Sequence, residues 1–204
     1  MSKPKAELIP PAEAVDTAKA TMGAIDLDPW SSKEANDHVL AARYYDKADR
    51  LERVIHYDWT PPGKGRLFLA ATGGAQASRA LLNHAFLEYR AGRVQQALIW
   101  IEHNETLIKA PWIWDFPMCI PFRRLRPRYY DEGLERLVEV APSDWSVLLY
   151  MPPSKDVNEW GAGFSRFHNV CSTIGRVIQD AESGQTVWQQ GYEVLMGRPY
   201  SHRL

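Results

Sequence analysis

The chain has 204 residues, a formal net charge of −1, 45% hydrophobic residues and 24% charged residues. These values fit one globular domain of ordinary size and exclude a wholly disordered chain. The balanced charge also excludes binding to nucleic acid through bulk positive charge alone. The sequence has no apolar run of roughly 18 residues, the length that a membrane helix needs, so we expect no membrane partner.

The cysteine content and the first residues indicate a reducing compartment. Cys119 and Cys171 are the two cysteines, too few for a disulfide framework or a zinc site. The opening residues, M-S-K-P-K-A-E-L-I-P-P, lack the apolar core of roughly 7–15 residues that a secretory signal carries. We therefore predict a cytoplasmic protein.

In chain order, residues 1–8 are predicted to form a flexible polar arm, and residues 9–204 one domain. Helices are predicted where apolar residues recur at three- and four-residue steps, or where proline, serine and glycine bound a segment. The predicted helices are 13–22, a segment capped by Ser31 or Ser32 and running to about Tyr45, 75–89, and 164–169.

Compact apolar runs predict buried strands between these helices. The predicted strands are 24–28, which Pro29 ends, then 66–70, 96–101, 146–151 and 174–178. Alternation of strands and helices within one domain predicts an α/β fold with a mostly parallel sheet. Ligands of such sheets bind beyond the carboxyl ends of the strands.

Five segments of the chain form an ordered series of motifs. They read I-P-P-A-E from Ile9, M-G-A-I-D-L-D-P-W-S-S-K-E-A-N from Met22, A-A-R-Y-Y-D from Ala41, D-W-T from Asp58, and R-L-F-L-A-A-T-G-G from Arg66. The series resembles the phage-type DNA adenine N6-methyltransferase (Dam-like) family, with its D-L-D-P-x-S-x-x-x-A-N turn and its strand closed by N-P-P-Y-G. The resemblance covers roughly residues 8–180 and is most specific over 23–45. It implies a single Rossmann-like methyltransferase domain from a phage or prophage, located in the host cytoplasm.

The catalytic N-P-P-Y motif of that family is replaced here. In the family, the polar first side chain and the next carbonyl accept hydrogen bonds from the target amino group, and the aromatic ring stacks on the flipped base. The aligned residues are Ala70, Ala71, Thr72 and Gly73. Losing the ring forfeits roughly 1–3 kcal/mol of stacking, and losing the acceptor removes most of the transition-state stabilisation. We therefore predict no catalytic residue.

The resemblance also implies a cofactor site for S-adenosylmethionine. Its predicted contacts are Asp26, Asp28, Pro29 and Ser31, because alternation places both carboxylates on one face at the carboxyl edge of the sheet. The alternative is structural: Asp28 turns the chain with Pro29, and a serine caps the next helix. Since Ile9 replaces the polar residue of the family's pocket, we expect either no cofactor or weakly bound S-adenosylmethionine.

A strip of arginines and aromatic residues follows residue 120. Its arginines, which we predict to bind DNA phosphates or base edges, are Arg123, Arg124, Arg126 and Arg128. The alternative is a surface hairpin in which these arginines pair with acidic residues just downstream, namely Asp131, Glu132, Glu135 and Glu139.

Other motifs favour structural roles. Gly73-Gly74 lacks a phosphate-loop pattern and predicts a tight strand-to-helix turn. The segment Met151-Pro152-Pro153-Ser154 is similar to N-P-P-Y in its two prolines. It lacks the polar acceptor at its first position and the aromatic ring at its last, so a strand-ending turn is predicted. The six histidines show no metal-ligand spacing, so no metal site is predicted. Trp112 and Trp114, two residues apart, are predicted in the core or an interface, with a stacking platform as the alternative.

These observations predict a catalytically degenerate Dam-like homologue retained for binding DNA or a protein, with homo-oligomerisation possible. Two alternatives stay open: an active DNA adenine N6-methyltransferase with a non-standard motif, and a protein-binding scaffold without DNA affinity.

Overall fold

A seven-stranded sheet forms the centre of the computed structural model, which describes residues 8–102, 105–131, 134, 136–142, 145–153 and 157–179. The strands are β1 (Leu27–Ser31), β2 (Arg43–Asp46), β3 (Arg66–Ala71), β4 (Gln96–Ile101), β5 (Met118–Pro121), β6 (Arg128–Asp131), β7 (Arg136–Glu139), β8 (Val147–Met151) and β9 (Gly175–Ile178). The order across the large sheet is β2-β1-β3-β4-β8-β5-β9, and β6 and β7 form a separate two-stranded sheet.

Five of the seven strands run in one direction. β2, β1, β3 and β4 are parallel neighbours, and β8 lies antiparallel between β4 and β5. β5 therefore points the same way as the first four strands, and β9 pairs antiparallel with it at the edge. The predicted α/β fold with a mostly parallel sheet is confirmed.

Both faces of the sheet are covered, which explains the nearly continuous apolar sequences of its central strands. Leu67 and Leu69 of β3 belong to one core cluster, whereas Phe68 between them belongs to the other. The helices are α1 (Ala12–Met22), α2 (Lys33–Val39), α3 (Leu51–Val54), α4 (Ala75–Arg90), α5 (Glu105–Lys109) and α6 (Val157–Cys171). None of the described helices is long and apolar enough to cross a membrane.

Two predicted elements near the motif block are corrected. Strand β1 contains Pro29 instead of ending before it, because the pairing with β2 shifts register between Asp28 and Ser31 and leaves a place for a residue without an N–H. The helix after β1 ends at Val39, where Leu40 adopts a left-handed conformation with φ of 57°. The last residues of the predicted helix, from Arg43 onward, belong to β2 instead.

The segment between β5 and β8 carries the separate hairpin of β6 and β7, which we call the ribbon. It is tied to the start of the domain by a two-residue bridge between Ile9 and Arg128, with N···O distances of 2.7 and 3.0 Å. Most of the predicted arm 1–8, and the end of the predicted domain 9–204 from residue 180 onward, lie outside the described residues.

Candidate functional site

The carboxyl ends of β1 and β3 meet at one edge of the sheet, which we call the carboxyl edge. The turn after β3 lies close to the end of β1: a Cβ atom on Gly73 would lie 3.6 Å from Cζ2 of Trp30. The residues that replace the catalytic motif therefore adjoin the D-L-D-P-W-S segment. Sequence reasoning identified both segments, and the fold places them side by side.

The turn after β3 is a tight connection between β3 and α4. Gly73 and Gly74 have φ values of +95° and +92°, conformations that residues with a side chain rarely adopt. The hydroxyl of Ser78 on α4 donates to the carbonyl of Ala71, and the Ser78 N–H donates to the carbonyl of Gly74 at 2.9 Å. This is the strand-to-helix turn that the two glycines predict, and its backbone excludes an aromatic residue at position 73 without strain.

Trp30 occupies the space beside that turn. Its side chain is buried, its ring lies against Gly73, and its indole Nε1 has no hydrogen-bond partner among the described residues. Tryptophan N–H groups usually find a partner when they are buried. An aromatic ring is therefore present at this edge, but it comes from β1 and packs onto the turn of β3.

Asp28 is the second polar group at this edge without full hydrogen bonding. It is wholly buried; Oδ1 accepts the Trp30 N–H at 3.2 Å, and Oδ2 has no partner in the described part of the chain. Burial raises the pKa of Asp28 to about 6, against the opposing effects of the Ser31 hydroxyl, the Trp30 N–H and the charge of Lys47. A buried carboxyl group with a strongly perturbed pKa is a candidate functional group.

Asp26 lies elsewhere, and its predicted position at the carboxyl edge is wrong. It precedes β1, whose first residue is Leu27, so it lies at the amino end of that strand. Its Oδ2 accepts Nε of Arg66 at 2.9 Å and the backbone N–H groups of Lys64 and Arg66, while Oδ1 accepts Nη2 of Arg66 at 2.6 Å. Burial acts to raise the pKa of Asp26, but the hydrogen bonds and charge of Arg66 hold it below its ordinary value.

Pro29 and Ser31 lie in β1 with Asp28, so three of the four predicted cofactor contacts come together. The helix cap is Ser32, whose Oγ accepts the Ala35 N–H at 3.1 Å. The Ser31 hydroxyl instead donates a long bond of 3.5 Å to the Ser32 carbonyl. The structure therefore assigns capping to Ser32 and leaves Ser31 beside Asp28.

Asp46 is an acidic residue at the carboxyl edge that sequence reasoning did not single out. It ends β2 opposite Ser31, it is exposed, and its Oδ1 accepts the Ala48 N–H at 2.9 Å. An acidic residue at the end of a neighbouring parallel strand can contact a ligand bound beyond the carboxyl ends of the strands. The sequence did not indicate this position for Asp46, because residues up to about Tyr45 were predicted as a helix.

The carboxyl edge does not fit S-adenosylmethionine as it is folded. The five consecutive residues 28–32 are all buried, the Trp30 ring lies against the turn where a ligand would approach, and Asp26 is bonded to Arg66 at the other end of the strand. The unpaired Oδ2 of Asp28 is one group here that a polar ligand would satisfy. We therefore derive no chemical step through the cofactor.

The four arginines lie in and just before the ribbon. Arg123 pairs with Glu13 of α1 at 3.1 Å, and Arg126 pairs with Glu139 of β7 at 3.3 Å. Arg124 donates to the Pro142 carbonyl at 3.3 Å, and Arg128 donates to the Pro10 carbonyl at 3.5 Å. The pair of Arg126 with Glu139 is of the kind that the hairpin alternative requires, whereas Glu13 of α1 is a partner that this alternative did not include. Glu132 and Glu135 lie outside the described residues.

Exposure separates these arginines into two groups. The side chains of Arg123 and Arg126 are 79% and 63% exposed, and two aromatic residues of the same segment, Phe122 and Tyr130, are 69% and 48% exposed. Arg128 is half-buried beside the N-terminal segment. The outer surface of the segment is therefore both cationic and aromatic.

Trp112 and Trp114 do not form one platform. Trp112 stacks on Phe86 of α4 with ring centroids 4.3 Å apart and packs against a core cluster. Trp114 is about half exposed and donates its Nε1 hydrogen to the Leu107 carbonyl at 3.1 Å. The predicted core or interface position is confirmed for Trp112.

Both cysteines of the chain are free and buried. No group of three or more potential metal ligands occurs among the described residues.

In comparisons with known proteins, no family model, no curated protein and no solved structure matches this chain.

Proposed function

We propose that this chain is a methyltransferase-fold protein of the Dam-like type that has lost methyl transfer and binds DNA through the ribbon and the segment leading into it. The observation that carries the proposal is that β1, with its D-L-D-P-W-S segment, pairs with β3, and that the turn after β3 lies against Trp30 of β1. In that turn, Ala70 to Gly73 stand where the resemblance would place the catalytic motif.

The arrangement of the sheet supports the fold part of this proposal. β1 and β3 are neighbouring parallel strands, so a cofactor-binding strand and a catalytic strand would end at the same edge. An antiparallel strand, β8, lies between β4 and β5, which run in the same direction as β1 and β3.

The chemistry of the turn supports the loss of activity. Ala70 has no side-chain acceptor for an amino group, and Gly73 has no ring. The nearby carboxyl group of Asp28 is wholly buried below the edge, and the Trp30 ring packs against Gly73. A target base would therefore meet an indole ring instead of an open slot with an acceptor.

The exposed cations and rings of the ribbon segment support DNA binding. Arg123 and Arg126 make ion pairs at the surface, which stabilise a protein by only about 0–1 kcal/mol each and exchange readily for a phosphate. A two-stranded ribbon also has the dimensions to enter the major groove. One local cationic strip suffices for steered association in a chain with net charge −1.

The test combines methyl transfer with binding. Purified protein is incubated with tritiated S-adenosylmethionine and unmethylated DNA, and the same preparation is titrated into labelled DNA. We expect incorporation at background level together with measurable, salt-dependent DNA binding. Incorporation that is lost in an Asp28→Ala variant would contradict the proposal and support the alternative of an active enzyme with a non-standard motif.

A protein-binding scaffold is the second candidate, and a specific surface favours it. Large apolar side chains of α4, α5 and the turn after α5 are more than half exposed, namely Leu87, Ile108 and Trp114. Exposed apolar groups of this kind mark protein contacts when they are contiguous. Light scattering that shows a dimer, together with absence of DNA binding, would support the scaffold instead of the DNA-binding function.

A further inference from the structure

A groove opens beyond the carboxyl end of β5, away from the β1–β3 site. It has a volume of about 230 Å³ and lies between the first turn of α1, the segment after β5 and the loop before β9. Its lining residues are Glu13, Phe122, Arg123, Leu125, Thr173 and Ile174. The Phe122 N–H donates to the Ile174 carbonyl at 2.9 Å, which fixes two sides of the groove to each other.

The size of the groove limits what it can hold. Pockets that enclose drug-sized ligands measure roughly 300–1,000 Å³, whereas this groove has about 230 Å³. It therefore suits one planar ring system and not a complete nucleotide cofactor. Its mouth lies beside the exposed guanidinium of Arg123, so an anionic group attached to that ring would meet a positive charge.

The lining matches the faces and edges of a nucleobase. Phe122, Leu125 and Ile174 offer apolar surface for the ring faces. The Glu13 carboxylate accepts Nη2 of Arg123 at 3.1 Å, and its remaining lone pairs can accept a hydrogen bond from an exocyclic amino group. The Thr173 hydroxyl donates to the Val170 carbonyl at 2.7 Å, so its oxygen is oriented to accept a hydrogen bond from a ligand.

We propose that this groove binds an unpaired base of single-stranded DNA, with Phe122 as the stacking surface and Arg123 and Arg126 as phosphate contacts. The inference rests on the proposed DNA-binding function and specifies its substrate. In a duplex the base faces are covered by their neighbours, so a ring such as Phe122, which is 69% exposed, can stack only on a base that is free of the helix.

The test compares single-stranded and duplex DNA by fluorescence anisotropy, with an unstructured labelled oligonucleotide and the duplex made from it. We expect the wild-type protein to bind the single strand more tightly. Phe122→Ala should weaken single-strand binding about 5- to 150-fold, the equivalent of roughly 1–3 kcal/mol for one stacked base, and leave duplex binding unchanged. Leu40→Ala removes an apolar side chain of similar exposure, 65%, just after α2, and serves as the matched control that changes neither.

The outcomes separate this inference from the function on which it rests. Wild-type binding to the duplex, with single-strand affinity that Phe122→Ala leaves unchanged, would overturn the base-binding groove and retain the DNA-binding ribbon. Absence of binding to either DNA would overturn both. Thr173→Val provides a second variant that preserves shape and removes the hydroxyl; a loss confined to the single strand would support the groove.

Discussion

Asp28 and Asp26 flank one residue of the same strand, yet their environments are opposite. Asp28 is wholly buried with one unpaired oxygen, and burial raises its pKa to about 6. Asp26 accepts three hydrogen bonds from Arg66 and one from the backbone N–H of Lys64, and its pKa lies below the ordinary value. The alternating pattern D-L-D predicts that both carboxylates lie on one face of a strand. It does not show that the strand begins at Leu27, which leaves Asp26 at the amino end of β1 and Asp28 inside the strand.

The Asp28→Asn variant is expected to be more stable than the wild type at neutral pH. The carboxyl group titrates near 3.8 in an unfolded chain and near 6 in the folded protein. Below about pH 4 the group is protonated in both states, and its burial costs little. As the pH rises from there through about 6, the unfolded state ionises first, so the free energy of unfolding falls by up to about 3 kcal/mol. An amide avoids that cost, so the variant should gain about 1–3 kcal/mol at pH 7.

Urea unfolding at pH 7 and at pH 4 measures this difference. The gain should shrink at pH 4, and Asp37→Asn, an exposed site on α2, should show neither effect. A loss of stability at pH 7 in Asp28→Asn would mean that the buried carboxylate makes compensating interactions.

Asp26→Ala should have the reverse effect. It leaves Arg66 partly buried without its partner, which we expect to cost about 3 kcal/mol at pH 7. Because the folded pKa of Asp26 is lowered, its contribution is present above about pH 4 and is lost as the pH falls through the folded value. Urea unfolding extended below about pH 4 should show the stabilities of the wild type and the variant converging as the folded pKa of Asp26 is passed. Equal stability at pH 7 would refute the structural role assigned to this ion pair.

At the scale of elements, local pattern predicted the long and uniform segments. β3, α4 and β4 were predicted within one residue of their ends, because continuous apolar runs and three- and four-residue spacing leave few alternatives. β1 and β2 were misassigned because their formation depends on pairing with distant strands, which no local pattern encodes. A proline inside a strand and a leucine in a left-handed conformation both contradict local expectation.

The start of α2 gives a prediction at this scale. Ser32→Ala removes the side-chain cap on the Ala35 N–H and should destabilise the protein by about 1 kcal/mol. Ser31→Ala is the matched change at the neighbouring serine, because the N–H of Ala35 is accepted by the Ser32 hydroxyl and not by that of Ser31. Thermal unfolding of both variants measures the difference. A larger loss for Ser31→Ala would show that the cap is misassigned.

At the scale of the molecule, the sequence predicted which segments form the site but not how their side chains meet. The β1 segment and the β3 turn were both identified, and parallel pairing brings them together. The packing of Trp30 on Gly73, the place of Asp46 beside Ser31, and the groove next to Phe122 each join residues that are distant in sequence. Such contacts follow from the order of the strands, which a single sequence does not specify.

The same limit applies to the arginine strip. Sequence reasoning left phosphate binding and pairing with downstream acids equally open. The fold adds Glu13, a partner more than a hundred residues away, and shows Arg123 and Arg126 exposed despite their partners. Only solution measurements separate an ion-paired surface from one that exchanges its partners for DNA.

The central claim is tested most directly by measuring the affinity for duplex DNA at several salt concentrations. The measurement compares the wild type with a variant in which four arginines are changed to Ala, namely Arg123, Arg124, Arg126 and Arg128. Each phosphate contact contributes about −0.9 to the slope of log affinity against log salt. We predict that the wild type shows a slope corresponding to two to four contacts, estimated at roughly −2 to −4, and that the variant binds more weakly with a flatter slope and a nearly unchanged melting temperature. Equal affinity and equal slope in the two proteins would contradict the assignment of this strip to DNA.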